Sequence, residues 1–197
     1  MQNAIDKLIP LIKREALTKT PFLVAIEGRC ASGKTTLAAE LARRLGASLI
    51  HMDDFFLRPE QRTPARLAIP GENIDHERFL SEVLLPLRAG KPFAYRPFSC
   101  RSQTLTAPVT VEPGPIAIVE GVYSCHPDLR KHYDLRLFLT VDPEEQMRRL
   151  YARDGDYAEI FRDRWIPLEE LYFSSCGVED CCSTSLFLNE KNLQNRQ

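Results

Sequence analysis

The run Gly28-Arg29-Cys30-Ala31-Ser32-Gly33-Lys34-Thr35 constrains this chain more than any other feature. It matches G-x-x-x-x-G-K-[ST] at every fixed position. Before it, Phe22 to Ile26 is an apolar run suited to a buried parallel strand. After it, Thr35 to Leu45 reads as a helix that stops at Gly46. Strand, glycine-bearing turn and helix make a cradle for phosphate. Gly28 and Gly33 permit backbone conformations that a side chain would obstruct. Successive N–H groups then point inward at phosphate oxygens, and the positive end of the helix starting near Lys34 adds to them. Lys34 is expected to reach the β- and γ-phosphates of ATP, and the Thr35 hydroxyl to ligate Mg²⁺. The expected nucleotide-binding set is Gly28, Arg29, Cys30, Ala31, Ser32, Gly33, Lys34, Thr35 and Thr36.

The pattern around this motif is that of an α/β protein. Ile5, Leu8, Ile9 and Ile12 recur at helical spacing, so residues 3–17 read as an amphipathic helix. Further strands are expected at Ser48 to Met52, Ile116 to Val119, Leu135 to Val141 and Ser185 to Leu188. Residues 57–73 contain Pro59, Pro64, Pro70 and Gly71 and read as a loop. Asp75 is suited to cap a helix reaching about Arg88, shortened or kinked by Pro86 and ended at Gly90. Phe93 to Val111 reads as a small antiparallel excursion. Asp142 and Pro143 start a helix to Arg153, and a further helix at Tyr157 to Phe173 is expected to break near Pro167. The tail from Asn189 is polar and is expected to fray. Strands alternating with helices call for a central, mainly parallel five-stranded sheet, whose ligands bind at the carboxyl ends of its strands.

The 197 residues suffice for one domain with a single core. A formal net charge of −1 argues against a nucleic-acid surface. The first 17 residues carry interspersed charges rather than a signal-peptide core, and no run reaches the length of a membrane span, so the cytoplasm is the expected compartment. A homo-oligomer is compatible with the sequence. The six cysteines contain no C-x-x-C pair. Cys176, Cys181 and Cys182 cluster, but no second pair and no His lies near them, so they read as free, buried thiols rather than a zinc site.

Three features narrow the chemistry. Asp53-Asp54-Phe55-Phe56 follows the second strand, one strand over from the phosphate loop. A carboxylate there, Asp53 or Asp54, is placed to orient an acceptor hydroxyl and take its proton. Glu120 ends the third strand and suits a contact to a Mg²⁺-bound water. Arg148, Arg149 and Arg153 lie on the helix after the fourth strand and suit a lid that neutralises transferring phosphate. Arg149 and Arg153 are assigned to catalysis and Arg148 to substrate binding. A regulatory GTPase is disfavoured: Asn189-Glu190-Lys191-Asn192 is not a guanine-reading N-K-x-D, and no D-x-x-G follows the third strand.

Taken together, GRCASGKT, DDFF, NIDHERF, the Tyr95 segment, VEGVYS and RRLYARDG resemble the uridine kinase-like branch of P-loop kinases, which includes phosphoribulokinase and bacterial pantothenate kinase. The match covers most of residues 22–165. It implies a P-loop NTPase three-layer sandwich forming a single kinase domain, with an N-terminal helix over 1–20, an acceptor-binding insertion over about 57–111 and a helical lid over about 143–167. It implies Asp53 as the acceptor-side base near Mg²⁺, with Asp54 at the family's Ser position. Asp75 would hold ribose hydroxyls, the alternative being the helix cap, and Tyr95 would line the acceptor pocket. Cys100 stands where the family has a base-reading His, and a thiol is a poor partner for a pyrimidine carbonyl. His76 and Cys100 read as structural. Arg162, Arg164 and Trp165 have no family counterpart. The implied activity is phosphoryl transfer from ATP·Mg²⁺ to a small-molecule hydroxyl, foremost the 5′-hydroxyl of uridine or cytidine. Pantothenate, another nucleoside or a sugar phosphate are the other acceptors, and a non-catalytic ATP-binding regulator is the alternative class.

Overall fold

Apolar side chains on both faces of the strands set the architecture. The computed structural model describes residues 1–187. Helix α1 (Gln2–Ala16) leads into strand β1 (Phe22–Gly28), helix α2 (Lys34–Leu45) and strand β2 (Ser48–His51). The short helices α3 (Pro64–Leu67), α4 (His76–Phe79) and α5 (Leu85–Ala89) follow. Strands β3 (Phe93–Tyr95), β4 (Phe98–Ser99), β5 (Thr104–Leu105) and β6 (Val109–Val111) form two small antiparallel pairs, β3 with β6 and β4 with β5. Strand β7 (Ile116–Glu120), strand β8 (Leu135–Thr140), helices α6 (Pro143–Asp154), α7 (Ala158–Ile160) and α8 (Ile166–Ser175), and strand β9 (Thr184–Phe187) complete the order.

The main sheet has five strands in the order β2-β7-β1-β8-β9, and every pairing in it is parallel. All seven residues of β1 are buried. Successive side chains of a strand point to opposite faces. Val24 and Ile26 accordingly pack with Ile5, Leu8, Ile12, Leu37 and Leu41 on the α1/α2 side. Leu23 and Ala25 pack with Phe55, Phe79, Phe138, Tyr172 and Phe173 on the other. The result is a three-layer sandwich. Each buried aliphatic side chain contributes about 2 kcal/mol by removal from water. A charge at Val24 or Ile118 would remove that gain and strand an ion in the central layer.

Two proline effects differ from expectation in an instructive way. The segment after Asp75, expected to be shortened or kinked by Pro86, runs helically to Ala89, and the segment expected to break near Pro167 stays helical. Each widens into a π-helical turn, Leu80–Leu84 before Pro86 and Phe161–Trp165 before Pro167. A proline ring clashes with the carbonyl four residues earlier and offers no N–H. A wider turn moves that carbonyl aside. Residues 57–73 are also more ordered than a plain loop, with a 3₁₀ turn at Pro59–Gln61 and α3 within them. The expected last strand is β9, while Leu188 and the tail from Asn189 lie outside the described residues. Among the described residues, no helix is long and apolar enough to cross a membrane.

Candidate active site

The carboxyl ends of β1, β2 and β7 open into one cavity of about 1180 Å³. In register, Ile26 pairs with Glu120 and His51 with Glu120, so the residues ending these strands arrive at one level. The loop after β1 forms one wall. Its close approach to β8 explains Gly28: a Cβ there would lie 2.0 Å from the Leu139 carbonyl oxygen, and the residue sits at φ +134°.

The N–H groups of this loop divide into two sets. Gly28 N–H donates to Glu27 Oε1 at 2.9 Å, Arg29 N–H to the Leu139 carbonyl at 3.0 Å, and Cys30 N–H to Glu169 Oε2 at 3.0 Å. These hold the loop's shape. Among the described residues, the N–H groups of Ala31, Gly33, Lys34 and Thr35 have no backbone acceptor, and these four residues line the cavity. Ser32 N–H donates to the Arg29 carbonyl at 3.2 Å, so about half of the loop N–H groups serve the loop's own shape. Ala31 takes φ 56°, a left-handed conformation uncommon outside glycine. The side chain of Arg29 is also committed elsewhere. It forms a two-pronged pair with Glu170 at 2.6 and 2.9 Å and donates to Thr140 Oγ1 at 2.9 Å. Cys30 is buried, and burial with the neighbouring Glu169 charge pushes its thiol up to about 12, so it stays protonated.

Lys34 Nζ donates to the Gly28 carbonyl at 2.7 Å and the Arg29 carbonyl at 2.9 Å, lying under the loop it is expected to serve. Thr35 Oγ1 is 3.3 Å from both Glu120 oxygens. His51 Nδ1 is 2.6 Å from Glu120 Oε1, and this bond holds the His51 pKa up. Asp53 is open to solvent but sits deep in the cavity. Withdrawal from bulk water raises its carboxyl pKa, the Lys34 ammonium opposes this, and Glu120 reinforces it. Gly121 makes room beside it: a Cβ at Gly121 would sit 2.8 Å from Met52 Cβ and 3.5 Å from Asp53 Oδ1. Thr35, Asp53 and Glu120 thus present oxygen donors only, with two carboxylates in mutual repulsion. That donor set fits a hard divalent cation such as Mg²⁺.

Helix α6 and the turns after it form the opposite wall. Arg148, Arg149 and Arg153 all line the cavity. Arg149 donates to the Ala31 carbonyl at 3.1 Å and to Glu145 at 2.8 Å. Arg148 forms a bidentate pair with Glu145, and Arg153 pairs with Asp154 and lies over the Phe161 ring. Arg164 and Trp165 line the same wall.

The acceptor-side expectations fare differently. Asp75 is 2% exposed and does not line the cavity. It caps α4 by accepting Arg78 N–H at 3.2 Å, and its second oxygen faces Arg78 and Arg58 at 3.6 and 3.8 Å. The cap reading prevails over the ribose contact, because the N-terminus of α4 needs an acceptor and two guanidiniums surround the carboxylate. Tyr95 is also buried off the cavity, donating its hydroxyl to Asp54 Oδ2 at 2.9 Å. It orients the neighbour of Asp53 rather than forming the wall. Cys100 is exposed and does line the cavity, with Arg62, Asn73 and Tyr123. His76 stacks on His126 at 4.2 Å.

Sequence reasoning missed Glu27, His51, Glu169 and Tyr123. Glu27 had a signal, being the one charge in an apolar strand next to the phosphate loop. Glu169 had none, since 139 positions separate it from the Cys30 N–H it holds. Tyr123 sits at φ 75°, the kind of strain that gathers at ligand sites.

Fold and site together define a P-loop protein of the three-layer α/β class. By sequence the chain is similar to the uridine kinase-like branch of P-loop kinases. Uridine kinase-like protein 5 of Arabidopsis thaliana is 29% identical over 147 residues, 69% of this chain and 31% of that protein. Uridine-cytidine kinase B of Dictyostelium discoideum is 27% identical over 147 residues, covering 70% of this chain and 60% of that protein. Uridine kinase of Deinococcus deserti is 26% identical over 144 residues, covering 68% and 69%. The chain spans about a third of the length of the first plant relatives it matches. No family model matches. Among solved structures, a provisionally named uridine kinase from Bacillus stearothermophilus superposes with TM-score 0.68 at 21% identity, covering 94% of this chain and 98% of that one. A provisionally named fructose transport system kinase from Silicibacter superposes with TM-score 0.70 at 22% identity, covering 91% and 98%. At these identities the structures speak to fold alone.

Proposed function

We propose that this chain is a kinase that transfers the γ-phosphoryl group of ATP to a hydroxyl of a small molecule, with the 5′-hydroxyl of uridine or cytidine the leading acceptor. One observation carries the reading: the Asp53 and Glu120 carboxylates and the Thr35 hydroxyl meet beside the phosphate-loop lysine in a single cavity. Its volume of about 1180 Å³ exceeds the roughly 300–1,000 Å³ of an ordinary small-molecule pocket, which suits a nucleotide and a second molecule side by side. The chain is read as one domain, 1–197, with about 57–111 serving the acceptor and about 143–167 closing as a lid.

In this reading Lys34 exchanges the Gly28 and Arg29 carbonyls for phosphate oxygens. The cavity-facing N–H groups of Ala31, Gly33, Lys34 and Thr35 bind the phosphate chain. Thr35, Asp53 and Glu120 would hold Mg²⁺, which when bound offsets phosphate charge. Asp53 orients the acceptor hydroxyl and takes its proton as the oxygen attacks the γ-phosphorus. A carboxylate whose pKa is raised is a stronger base for that step. Arg149 and Arg153 neutralise charge on the transferring group, and Arg148 contacts substrate at the more exposed edge.

One observation favours a second reading of the acceptor. Asp75 and Tyr95, the residues the resemblance gives to the nucleoside, are buried in structural contacts, and Cys100 lines the wall. Pantothenate, another nucleoside or a sugar phosphate then become the acceptors to try. A regulator that binds ATP without transfer has no need of an acceptor-side base such as Asp53. The test is labelled ATP with a panel of hydroxyl acceptors, using wild type and Asp53→Ala. Wild type should label one acceptor class, and Asp53→Ala should lose turnover by about 10²-fold or more while still binding ATP. Normal turnover in the variant would refute the role of Asp53. No transfer to any acceptor by wild type would refute the kinase reading.

A further inference from the structure

Three thiols from two distant parts of the chain converge outside the cavity. Cys125 follows β7 and is fully buried, while Cys181 and Cys182 are half-buried in the turns between α8 and β9. All three sulfurs lie within 4.8 Å of one another, and Cys125 Sγ is 4.0 Å from Cys182 Sγ. All are free thiols.

We propose that Cys125, Cys181 and Cys182 form a three-thiolate site for a soft d¹⁰ metal ion, zinc or monovalent copper, which staples the last strand segment to the core. A metal at about 2.3 Å from each sulfur sets the sulfurs about 4.0 Å apart in a trigonal plane and about 3.8 Å apart in a tetrahedron. The Cys125–Cys182 pair already meets that spacing. The donors are all sulfur, which selects soft ions and rejects Mg²⁺. The site is therefore chemically insulated from the oxygen donors of the cavity. Burial of Cys125 excludes water on one side, and partial exposure of the other two leaves an entry path.

The surroundings support the same assignment. Arg136 Nε donates to the Cys181 carbonyl at 2.7 Å, and Arg130 donates to the Cys176 carbonyl at 3.0 Å, so the thiol-bearing turn is held in shape. The thiol protons leave as a metal binds. Among the described residues, strand β9 is at the edge of the sheet and pairs with β8 alone. Anchoring the turn that precedes it fixes that edge. Sequence spacing hid the site because Cys125 lies 57 positions before Cys182.

The test uses the full chain kept reduced by a phosphine and stripped of metal with a chelator. Co²⁺, Zn²⁺ and Cu⁺ are then titrated separately. One equivalent of Co²⁺ should produce a thiolate-to-cobalt charge-transfer band that Zn²⁺ removes by displacement. Zn²⁺ should also protect Cys181 and Cys182 from alkylation in wild type, with exposed Cys100 reacting throughout. Cys182→Ser, at a half-exposed position, should melt like metal-free wild type, lose the band and gain no thermal shift from Zn²⁺. Cys100→Ser should keep the band. A full band in the Cys181→Ser/Cys182→Ser double variant would overturn the assignment. So would wild type that binds none of the three ions under reductant, including the case in which oxidant instead links Cys125 to Cys182. None of these readouts depends on phosphoryl transfer.

Discussion

Glu27 offers a direct test of how the phosphate loop is held. It lies in β1, one residue before the loop, with no exposed surface. Its Oε1 accepts from Gly28 N–H at 2.9 Å, and its Oε2 accepts from Cys125 N–H at 2.9 Å and the Tyr172 hydroxyl at 3.1 Å. Those donors and Lys34 favour the carboxylate, yet burial outweighs them and pushes the carboxyl up to about 7 from an ordinary 4.5. The folded chain therefore binds this proton more tightly than the unfolded chain does. The stability this provides is fully present below about pH 4.5 and is lost as pH rises through about 7. At about 1.4 kcal/mol per tenfold change in proton affinity, the whole span amounts to about 3 kcal/mol. Glu27→Gln cannot titrate. Its amide N–H₂ also faces N–H and O–H donors, adding a pH-independent loss of about 1–3 kcal/mol. Urea unfolding of both proteins from pH 5 to pH 8 isolates the titration, because other groups cancel in the difference. The wild-type advantage over Glu27→Gln should shrink by about 2–3 kcal/mol across that range. Identical pH dependence in the two proteins would refute the argument.

Two further substitutions separate structural from substrate-facing roles. Tyr95→Phe removes the donor to Asp54 and should cost about 1–3 kcal/mol of stability with little change in the acceptor KM; a raised KM at unchanged stability would put Tyr95 in the acceptor pocket after all. Gly28→Ala forces a Cβ to 2.0 Å from the Leu139 carbonyl oxygen at a φ that L-residues avoid, so thermal melting should reveal a loss above about 4 kcal/mol or no folded protein. A variant within about 1 kcal/mol of wild type would mean that β1 and β8 yield far more easily than a packed sheet should.

The parts legible in the sequence were those encoded locally. The phosphate loop needs only eight consecutive residues between a strand and a helix. Asp142 before Pro143 and Gly46 after Leu45 mark helix ends through short-range chemistry, and both stand at the boundaries of α6 and α2. The acceptor side was harder because it depends on where side chains turn after the chain has packed. Asp75 carries the same letter whether it caps α4 or meets a ligand, and only the positions of Arg58 and Arg78 decide between them. Tyr95 was read as a pocket aromatic, but its hydroxyl finds Asp54, 41 positions away. The cysteines show the same limit. Cys176, Cys181 and Cys182 are half-buried rather than buried, Cys100 is exposed, and the third thiol of the cluster comes from beyond β7.

The carboxylates behind the phosphate loop explain why it can stand open in a binding shape. A loop whose N–H groups must converge on an anion holds them close together and pointing the same way, which is unfavourable unless other bonds fix the backbone. Here three acidic side chains supply those bonds from the protein side. Glu27 takes Gly28 N–H, Glu169 takes Cys30 N–H, and Glu170 clamps the Arg29 guanidinium. Two of the three belong to α8, which continues directly from the turns bearing Arg164 and Trp165 on the cavity wall. The helix that anchors the loop is thus the same one that ends the proposed lid. Movement of the lid on substrate binding would pull on the residues that shape the phosphate cradle, so closure and phosphate grip are expected to be coupled through Glu169 and Glu170 rather than independent.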